Sequence, residues 1–173
     1  MNKVLIIDDE DQLRGLLSRI IGLEGYEVFQ ADSCKNGLKQ LALHDPDVVL
    51  CDVRLPDGNG VELIAEIKRV KPLVEVIMLT AHGNIPDGVQ AIKNGAFDYL
   101  TKGDDNNRII PLISRAMDQV AKAKQESQAE IPVDREYSFD TILGSSMAIR
   151  EAIALAKKVS VTDVPAVSYT HLT

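Results

Sequence analysis

The sequence has no tryptophan, and aromatic residues make up only 4% of its 173 residues. A surface that binds nucleic acid by stacking bases needs such side chains, so the composition argues against this class of protein. The net charge of −7 also argues against binding to phosphate backbones. No apolar run approaches the roughly 20 residues of a membrane-spanning helix, and the N-terminus has no signal segment. We therefore expect a cytoplasmic protein without a membrane partner.

Cysteine is scarce as well. The two cysteines, Cys34 and Cys51, are too few for a disulfide framework, and a reducing cytosol would keep both as thiols. Cys51 directly precedes Asp52, so a redox role is one interpretation of its position. Its place in an apolar run favours the other interpretation, a small core residue in a buried strand.

Strand-like and helix-like segments alternate over about the first 120 residues. Short connections join them, which is typical of parallel βαβ units. We predict an α/β fold with a doubly wound, parallel sheet of five strands. The predicted strands are the runs 3–7, 26–31, 47–51, 74–79 and 97–101.

The helices between these strands are predicted from the spacing of their apolar residues. Asp11 is expected to cap the first helix, and Ser33 the second. The fourth helix, at about 86–94, is predicted to be weak because Gly88 lies inside it and its apolar face is narrow. A weak helix beside a functional site is a candidate moving element.

The fifth predicted helix begins near Asp105 and extends further than a small domain needs to close its sheet. Pro111 is compatible only with its first turn. The apolar residues follow a heptad spacing, which favours a homodimer through this helix over the alternative of a helix that only packs on the core. The residues with this spacing are Ile109, Ile113, Ala116, Val120 and Ala123.

The chain is predicted to divide into three parts. Residues 1–121 form the α/β domain, and residues 122–138 form a linker because the composition becomes polar and Pro132 interrupts any helix. Residues 139–173 are too few to form a stable core alone. We therefore expect them to be the opening fragment of a second, truncated domain.

Polar side chains follow four of the predicted strands. Asp8 and Asp9 come after the first strand, Asp52 after the third, Thr80 after the fourth and Lys102 after the fifth. Because the carboxyl ends of parallel strands meet at one edge of a sheet, these side chains are expected to converge. Each alone has an ordinary explanation, such as turn chemistry for Asp52. Together they predict a site for a phosphoryl group.

The chemistry predicted for this site is attack of the Asp52 carboxylate on phosphorus, with the protein supplying position and charge. Asp9, Asp52 and a backbone carbonyl are expected to hold Mg²⁺, which prefers hard oxygen ligands. The Lys102 ammonium would pair with one phosphoryl oxygen, and the Thr80 hydroxyl would donate to another. The charge added to Asp52 would then draw Thr80 and the following loop inward.

These motifs resemble the receiver domain of bacterial response regulators, and the resemblance covers residues 3–120. The matching runs are Ile-Ile-Asp-Asp-Glu at 6–10, Asp-Val-Arg-Leu-Pro-Asp-Gly at 52–58, Leu-Thr-Ala at 79–81 and Asp-Tyr-Leu-Thr-Lys at 98–102. The resemblance implies a flavodoxin-like sheet with strand order 2-1-3-4-5. It also implies that a sensor histidine kinase phosphorylates Asp52.

The same resemblance implies roles for the other site residues. Asp8 and Asp9 would be the acidic pair at Mg²⁺, and the backbone carbonyl of Arg54 would complete the protein ligands. Tyr99 occupies the aromatic switch position of the family, and its side chain would move inward as Thr80 engages the phosphate.

The sequence departs from the family after its lysine. Most members have proline at this position, often after a cis peptide bond, whereas Gly103 follows Lys102 here. Glycine adopts unusual backbone angles readily, and a cis bond before a residue other than proline is costly. The resemblance therefore leaves the shape of this loop, and its effect on switching, open.

Residues 139–167 resemble the opening of the AAA+ ATPase domain of NtrC-type, sigma-54-dependent transcription activators. A Gly-x-x-x-x-Gly-Lys phosphate loop should follow in that family, but the sequence contains none, so we expect no P-loop binding of ATP. Residues 168–173 do not fit the family and are candidates for non-native sequence. The resemblance implies that sigma-54 RNA polymerase and DNA are reached only through domains that this chain lacks.

Two other functions fit parts of the pattern. One is a Mg²⁺-dependent phosphohydrolase or phosphotransferase that turns over through an aspartyl phosphate. Arg54 argues against it, because such hydrolases have a second carboxylate two residues after the acceptor. The other is an interaction module that is never phosphorylated, and the complete set of acceptor-site residues argues against that. The leading prediction is a non-enzymatic, phosphorylation-controlled switch of a two-component system.

Overall fold

A computed structural model describes residues 1–81, 85–103 and 106–129 of the chain. These residues belong to one compact unit, Met1–Glu130. The elements in chain order are β1 (Lys3–Ile7), α1 (Asp11–Leu23), β2 (Glu27–Ala31), α2 (Cys34–His44), β3 (Val48–Asp52), β4 (Arg54–Leu55), β5 (Gly58–Asn59), α3 (Gly60–Val70), β6 (Glu75–Thr80), α4 (Ile85–Lys93), β7 (Asp98–Thr101) and α5 (Asn106–Ala129). In this part of the chain, none of the helices is both long and apolar enough to cross a membrane.

Five strands form a parallel sheet in the order β2-β1-β3-β6-β7, and β4 and β5 pair as a short antiparallel hairpin. The predicted doubly wound sheet and its 2-1-3-4-5 order are thereby confirmed, with β6 and β7 as the fourth and fifth principal strands. The strand order reverses between β1 and β3, where ligands bind in open α/β sheets. Ile7 pairs with Cys51 there, so Asp8 and Asp52 follow at the same edge.

The sheet is covered on both faces because its strands are apolar on both sides. Successive strand residues point to opposite faces, so the core forms two layers. One layer packs against α1 and α5 and includes Val4, Ile6, Leu17, Ile21, Leu50, Ile77 and Ile113. The other packs against α2, α3 and α4 and includes Leu5, Ile7, Leu41, Val49, Ile64, Met78 and Ala91.

The predicted helix starts are confirmed in one case and wrong in another. Ser33 caps α2, and its hydroxyl accepts a hydrogen bond from the backbone N–H of Asn36 at 3.3 Å. Asp11 is instead the first residue of α1, and Glu10 occupies the cap position without a side-chain bond. The Asp11 carboxylate is engaged elsewhere, in an ion pair with Arg14 one turn later.

The fifth helix corrects two predictions from the sequence. It continues to Ala129, so the part of the predicted linker at 122–129 is helical, because polar residues such as Lys, Gln and Glu favour helix as long as no proline intervenes. Pro111 lies in its second turn rather than its first and removes the hydrogen bond to the carbonyl of Asn107. The rest of the predicted linker, and the module at 139–173, lie outside the described residues.

The heptad spacing in α5 reflects packing within this chain. Ile109, Ile113, Ala116 and Val120 are all buried. Most of them belong to the core layer that covers the sheet. The interpretation of these residues as a dimer seam was therefore wrong, because one helix face cannot pack on its own sheet and on a second copy together. Any dimer contact through α5 has to use the opposite face.

Gly60, the first residue of α3, lies against the end of β3. A Cβ atom built on Gly60 would lie 1.9 Å from the backbone oxygen of Asp52, so a larger residue forces α3 away from the strand. We expect Gly60→Ala to lower the free energy of unfolding by about 1–3 kcal/mol, the usual cost of overpacking. Urea denaturation followed by circular dichroism measures this change.

Gly15→Ala is the matched control, because Gly15 lies within α1 and no atom lies within 4 Å of its added Cβ. This variant should raise the free energy of unfolding by roughly 0.5–1 kcal/mol, since alanine is the better helix former. Equal stability of Gly60→Ala and the wild type would show that the contact with Asp52 does not constrain α3.

Candidate functional site

A cavity of about 460 Å³ lies at the carboxyl edge of the sheet. It is bordered by the loop after β1, the ends of β3 and β6, the start of α4 and the residue after β7. The charged and hydroxyl-bearing residues that line it are Asp9, Glu10, Asp52, Arg54, Thr80, Asp87 and Lys102. The edge predicted from the sequence is therefore the one that carries a concave, charged surface.

Lys102 joins the buried residues at this edge. Its Nζ lies 2.9 Å from Oδ2 of Asp52 and 2.8 Å from Oδ2 of Asp8. Its backbone N–H donates to the carbonyl of Thr80 at 2.8 Å, which fixes the lysine beside the end of β6. Asp8, Asp52 and Thr80 are all buried, whereas Asp9 is exposed. The residues that were predicted to converge do lie together.

The backbone around Asp8 is held on several sides. The carboxylate accepts a hydrogen bond at Oδ1 from the backbone N–H of Glu10 at 2.9 Å. The backbone N–H of Asp8 donates to the carbonyl of Ala31 at 3.0 Å, and the Arg14 guanidinium donates to the Asp8 carbonyl at 2.5 Å. These bonds fix the turn from which the side chains of Asp8 and Asp9 extend.

Two buried carboxylates, those of Asp8 and Asp52, lie against the single ammonium of Lys102. Burial raises the pKa of Asp52, and the hydrogen bond from Lys102 only partly offsets that effect. Burial alone would lower the pKa of Lys102, but its close pairing with the Asp8 and Asp52 carboxylates raises it above its ordinary value. Lys102 therefore stays protonated while Asp52 lacks enough positive charge nearby to ionise at its usual pH.

The acidic cluster suits a divalent cation. Asp8, Asp9 and Asp52 each offer one carboxylate oxygen, and the three oxygens lie within 4.8 Å of one another. Oδ2 of Asp8 is buried and accepts no well-formed hydrogen bond within the described residues, although Lys102 Nζ is only 2.8 Å away. Hard oxygen ligands with an excess of negative charge are what Mg²⁺ or Ca²⁺ requires. The cluster could therefore bind a metal ion of this class.

Two predicted switch residues occupy different surroundings. Thr80 is buried at the end of β6 and lines the cavity. Tyr99 lies one strand away in β7, is half-buried and packs beside the second core layer. A Cβ atom built on Gly88 of α4 would lie 3.0 Å from the Tyr99 ring. The tyrosine ring therefore lies directly against α4, the helix that borders the cavity.

The loop after β7 takes its shape from glycine. Gly103 has a φ of +92°, and the Lys102–Gly103 peptide bond is trans. A proline, with φ fixed near −65°, could not adopt this conformation. The loop shape that the sequence left open therefore depends on glycine at the position directly after the lysine that pairs with Asp52.

The positions of two carboxylates, Asp57 and Asp87, were not predicted from the sequence. Asp57 accepts hydrogen bonds from the backbone N–H groups of Cys34 and Lys35 at 2.7 and 2.9 Å, so it caps α2 from a distant loop. Asp87 lines the cavity from α4. The first was interpreted only as part of a turn, and the second sits in a helix whose rotational orientation was not predicted. For Asp87, the only signal in the sequence was a carboxylate in the first turn of the helix that follows Thr80.

Both cysteines are free thiols, and Cys51 is fully buried. Burial raises the pKa of Cys51 well above its ordinary value, so its thiolate is strongly disfavoured. The interpretation of Cys51 as a core residue is therefore confirmed.

Comparison with known protein families places most of the described chain in one group. Residues 4–114 match the family described as the response regulator receiver domain. The transcriptional regulatory protein GlrR of Escherichia coli (strain K12) is 40% identical over 132 residues, which are 76% of this chain and 30% of GlrR. The DNA-binding transcriptional regulator NtrC of Proteus hauseri is 33% identical over 93% of this chain and 33% of NtrC. The chain thus spans about a third of the length of these relatives.

Solved structures show the same similarity. The receiver domain of NtrX from Brucella abortus superposes with a TM-score of 0.64 at 33% identity, covering 66% of this chain and 98% of that domain. The beryllofluoride-activated NtrC4 receiver domain dimer gives a TM-score of 0.66 at 35% identity, covering 69% of this chain and 99% of that one. The similarity therefore includes complete receiver domains.

The raised pKa of Asp52 predicts how stability changes with pH. The folded protein holds this proton more tightly than the unfolded chain does, so the associated stability is complete below about pH 3.9 and lost as the pH rises through the folded pKa. Without divalent cations, Asp52→Asn should therefore unfold at higher urea concentration than the wild type at pH 7. The difference should shrink as the pH falls towards 4.

Asp57→Asn provides a control of opposite sign. Hydrogen bonds from the backbone of Lys35 and Cys34 lower the pKa of Asp57, so its stabilising effect is present above its ordinary pKa and lost as the pH falls through the folded value. This variant should be less stable than the wild type at pH 7 and approach it in acid. A less stable Asp52→Asn at pH 7 would mean that pairing with Lys102 outweighs burial.

Proposed function

The chain belongs to the family of response regulator receiver domains, and on this basis we propose that Asp52 is the phospho-acceptor of a two-component system. The observation that carries the proposal is the buried Asp52 carboxylate, held 2.9 Å from Lys102 at an acidic cavity. The function is a phosphorylation-controlled switch in signal transduction rather than an enzyme with steady turnover. The phosphoryl group would come from a sensor histidine kinase.

The transfer uses groups that are already in place. An oxygen of Asp52 forms a bond to phosphorus while the bond from phosphorus to the kinase imidazole breaks, and the electron pair of that bond leaves with the imidazole. Lys102, now paired with Asp52 and Asp8, would shift to a phosphoryl oxygen, because that oxygen becomes the nearest concentrated negative charge. The Thr80 hydroxyl would donate a hydrogen bond to another phosphoryl oxygen.

A metal ion at this site would be held by Asp8, Asp9, Asp52 and the backbone carbonyl of Arg54. We propose Mg²⁺, because it accepts a few carboxylates and keeps several waters, which suits a site that must also admit phosphoryl oxygens. When bound, it supplies positive charge to oxygens of the transferring group. The exposed position of Asp9 leaves this cluster open to the cavity.

The switch would pass from Asp52 through Thr80 to Tyr99 and α4. The backbone N–H of Lys102 donates a hydrogen bond to the Thr80 carbonyl, which links the end of β6 to the residue after β7. A Thr80 side chain drawn to the phosphoryl group would leave space behind it for the Tyr99 ring. That ring now lies against Gly88, so its displacement would change the surface of α4.

We infer the output and partners of the switch from its relatives. The NtrC4 receiver domain is described as a dimer, which supports homodimerisation of this chain, and a contact through α5 would use the face away from the core. Relatives named as transcriptional regulators support control of transcription, with a sigma-54 RNA polymerase reached through other domains. The domain limits at 1–121, 122–138 and 139–173 and the cytoplasmic location stay predictions.

Phosphorylation is tested with Mg²⁺ and acetyl phosphate as the phosphoryl donor. Intact-mass measurement should show one phosphoryl group on the wild type and none on Asp52→Ala. Asp118→Ala is the matched control, because Asp118 is an exposed carboxylate on α5, and this variant should be modified like the wild type. Steady consumption of donor would favour a phosphohydrolase or phosphotransferase, and absence of any adduct would leave an interaction module.

The contact between Gly88 and Tyr99 generates a second test. A Cβ on Gly88 would lie 3.0–3.1 Å from three atoms of the Tyr99 ring, so Gly88→Ala should displace the ring. In protein with labelled tyrosine, we expect the Tyr99 NMR resonances to shift and to respond less to beryllofluoride, a phosphoryl mimic. Gly22→Ala, with no atom within 4 Å of the added Cβ, should leave them unchanged. Unaltered Tyr99 resonances in Gly88→Ala would rule out this coupling.

A further inference from the structure

Asp87 is the one charged residue that α4 contributes to the cavity within the described part of the chain. It is half-buried and shares the cavity with Asp9, Asp52 and Lys102. The phosphoryl transfer described above does not use it. Asp52 and Asp87 line the same cavity, so a phosphoryl group on Asp52 would enter a space that Asp87 also borders.

The size of the cavity determines how strongly Asp87 acts on its contents. A volume of about 460 Å³ corresponds to a space about 10 Å across, comparable with the Debye length of about 8–10 Å at physiological salt. At such a separation salt screens two charges only in part, so a charge that lines the cavity still acts on its contents. Partial burial of the site also lowers the effective dielectric constant, which strengthens the interaction between these charges.

We propose that Asp87 is a specificity-determining residue of this site, whose charge favours a bound cation and opposes the phosphoryl group. The inference rests on the proposed function, because it requires a phosphoryl group in the cavity. The same carboxylate has opposite effects on the two ligands because they carry opposite charges. It thereby lowers the stability of the phosphorylated form relative to the cation-bound, unphosphorylated form.

The position of Asp87 in the chain gives this repulsion a mechanical consequence. Gly88, the next residue, is the one against which the Tyr99 ring packs. A phosphoryl group on Asp52 would push the Asp87 carboxylate, and with it the first turns of α4, away from the cavity. The same turns form the wall that the tyrosine ring contacts, so charge at Asp52 acts on α4 directly as well as through Thr80.

The test measures two affinities in Asp87→Asn, which removes the charge and keeps the shape. Affinity for Mg²⁺ alone, from NMR titration, should fall about two- to fivefold, and affinity for beryllofluoride at saturating Mg²⁺ should rise about threefold or more, the size expected for one charge that borders a cavity of this size. Both changes should shrink in 0.5 M salt, at about half the Debye length. A purely structural role would weaken both affinities together.

Two variants complete the design. Asp118→Asn removes the same charge from an exposed site on α5 and should change neither affinity, whereas Asp87→Glu should keep both near their wild-type values. Unchanged affinities in Asp87→Asn, or a loss of both, would overturn the inference alone. A wild-type protein that binds no beryllofluoride and takes no phosphoryl group would overturn the proposed function, and the inference with it.

Discussion

The structure around the site depends on one ammonium shared by two buried carboxylates. The Nζ of Lys102 lies within 3 Å of Oδ2 of both Asp8 and Asp52, and its backbone N–H donates a hydrogen bond to the carbonyl of Thr80. One positive charge cannot balance two negative ones, so the buried site is short of positive charge unless a carboxyl group is protonated or a cation binds. This deficit explains why burial dominates the pKa of Asp52 and why a divalent ion fits the cluster.

The sheet and the convergence of polar residues could be predicted because they follow from local sequence. Apolar runs that end in Asp8, Asp52, Thr80 and Lys102 define parallel strands, and parallel strands bring their carboxyl ends to one edge. Ser33 as a helix cap is equally local, since its hydroxyl bonds a group three residues away. In each case the decisive interaction lies within one element or follows from the sheet geometry.

The errors arose where long-range packing decides the outcome. The heptad spacing in α5 was correct as a pattern, but a helix that packs on a sheet and a helix that packs on a partner show similar spacing. Ile113 and Ala116 pack on the sheet. Asp57 bonds α2 from a loop more than 20 residues away, and Asp87 reaches the cavity only because α4 is rotated to bring it there. The spacing of apolar residues indicates neither the hydrogen bonds of Asp57 nor the rotation of α4.

The low helix propensity predicted for α4 is related to the contacts that this helix makes. Gly88 lowers helix propensity, but it also provides the space in which the Tyr99 ring packs, so a stronger helix former would remove that contact. Asp87 places a negative charge beside a site that is already rich in carboxylates. A phosphoryl group on Asp52 would add a further negative charge to the cavity that Asp87 lines. The glycine that lowers the helix propensity of α4 is therefore also the residue that lets this helix contact the Tyr99 ring.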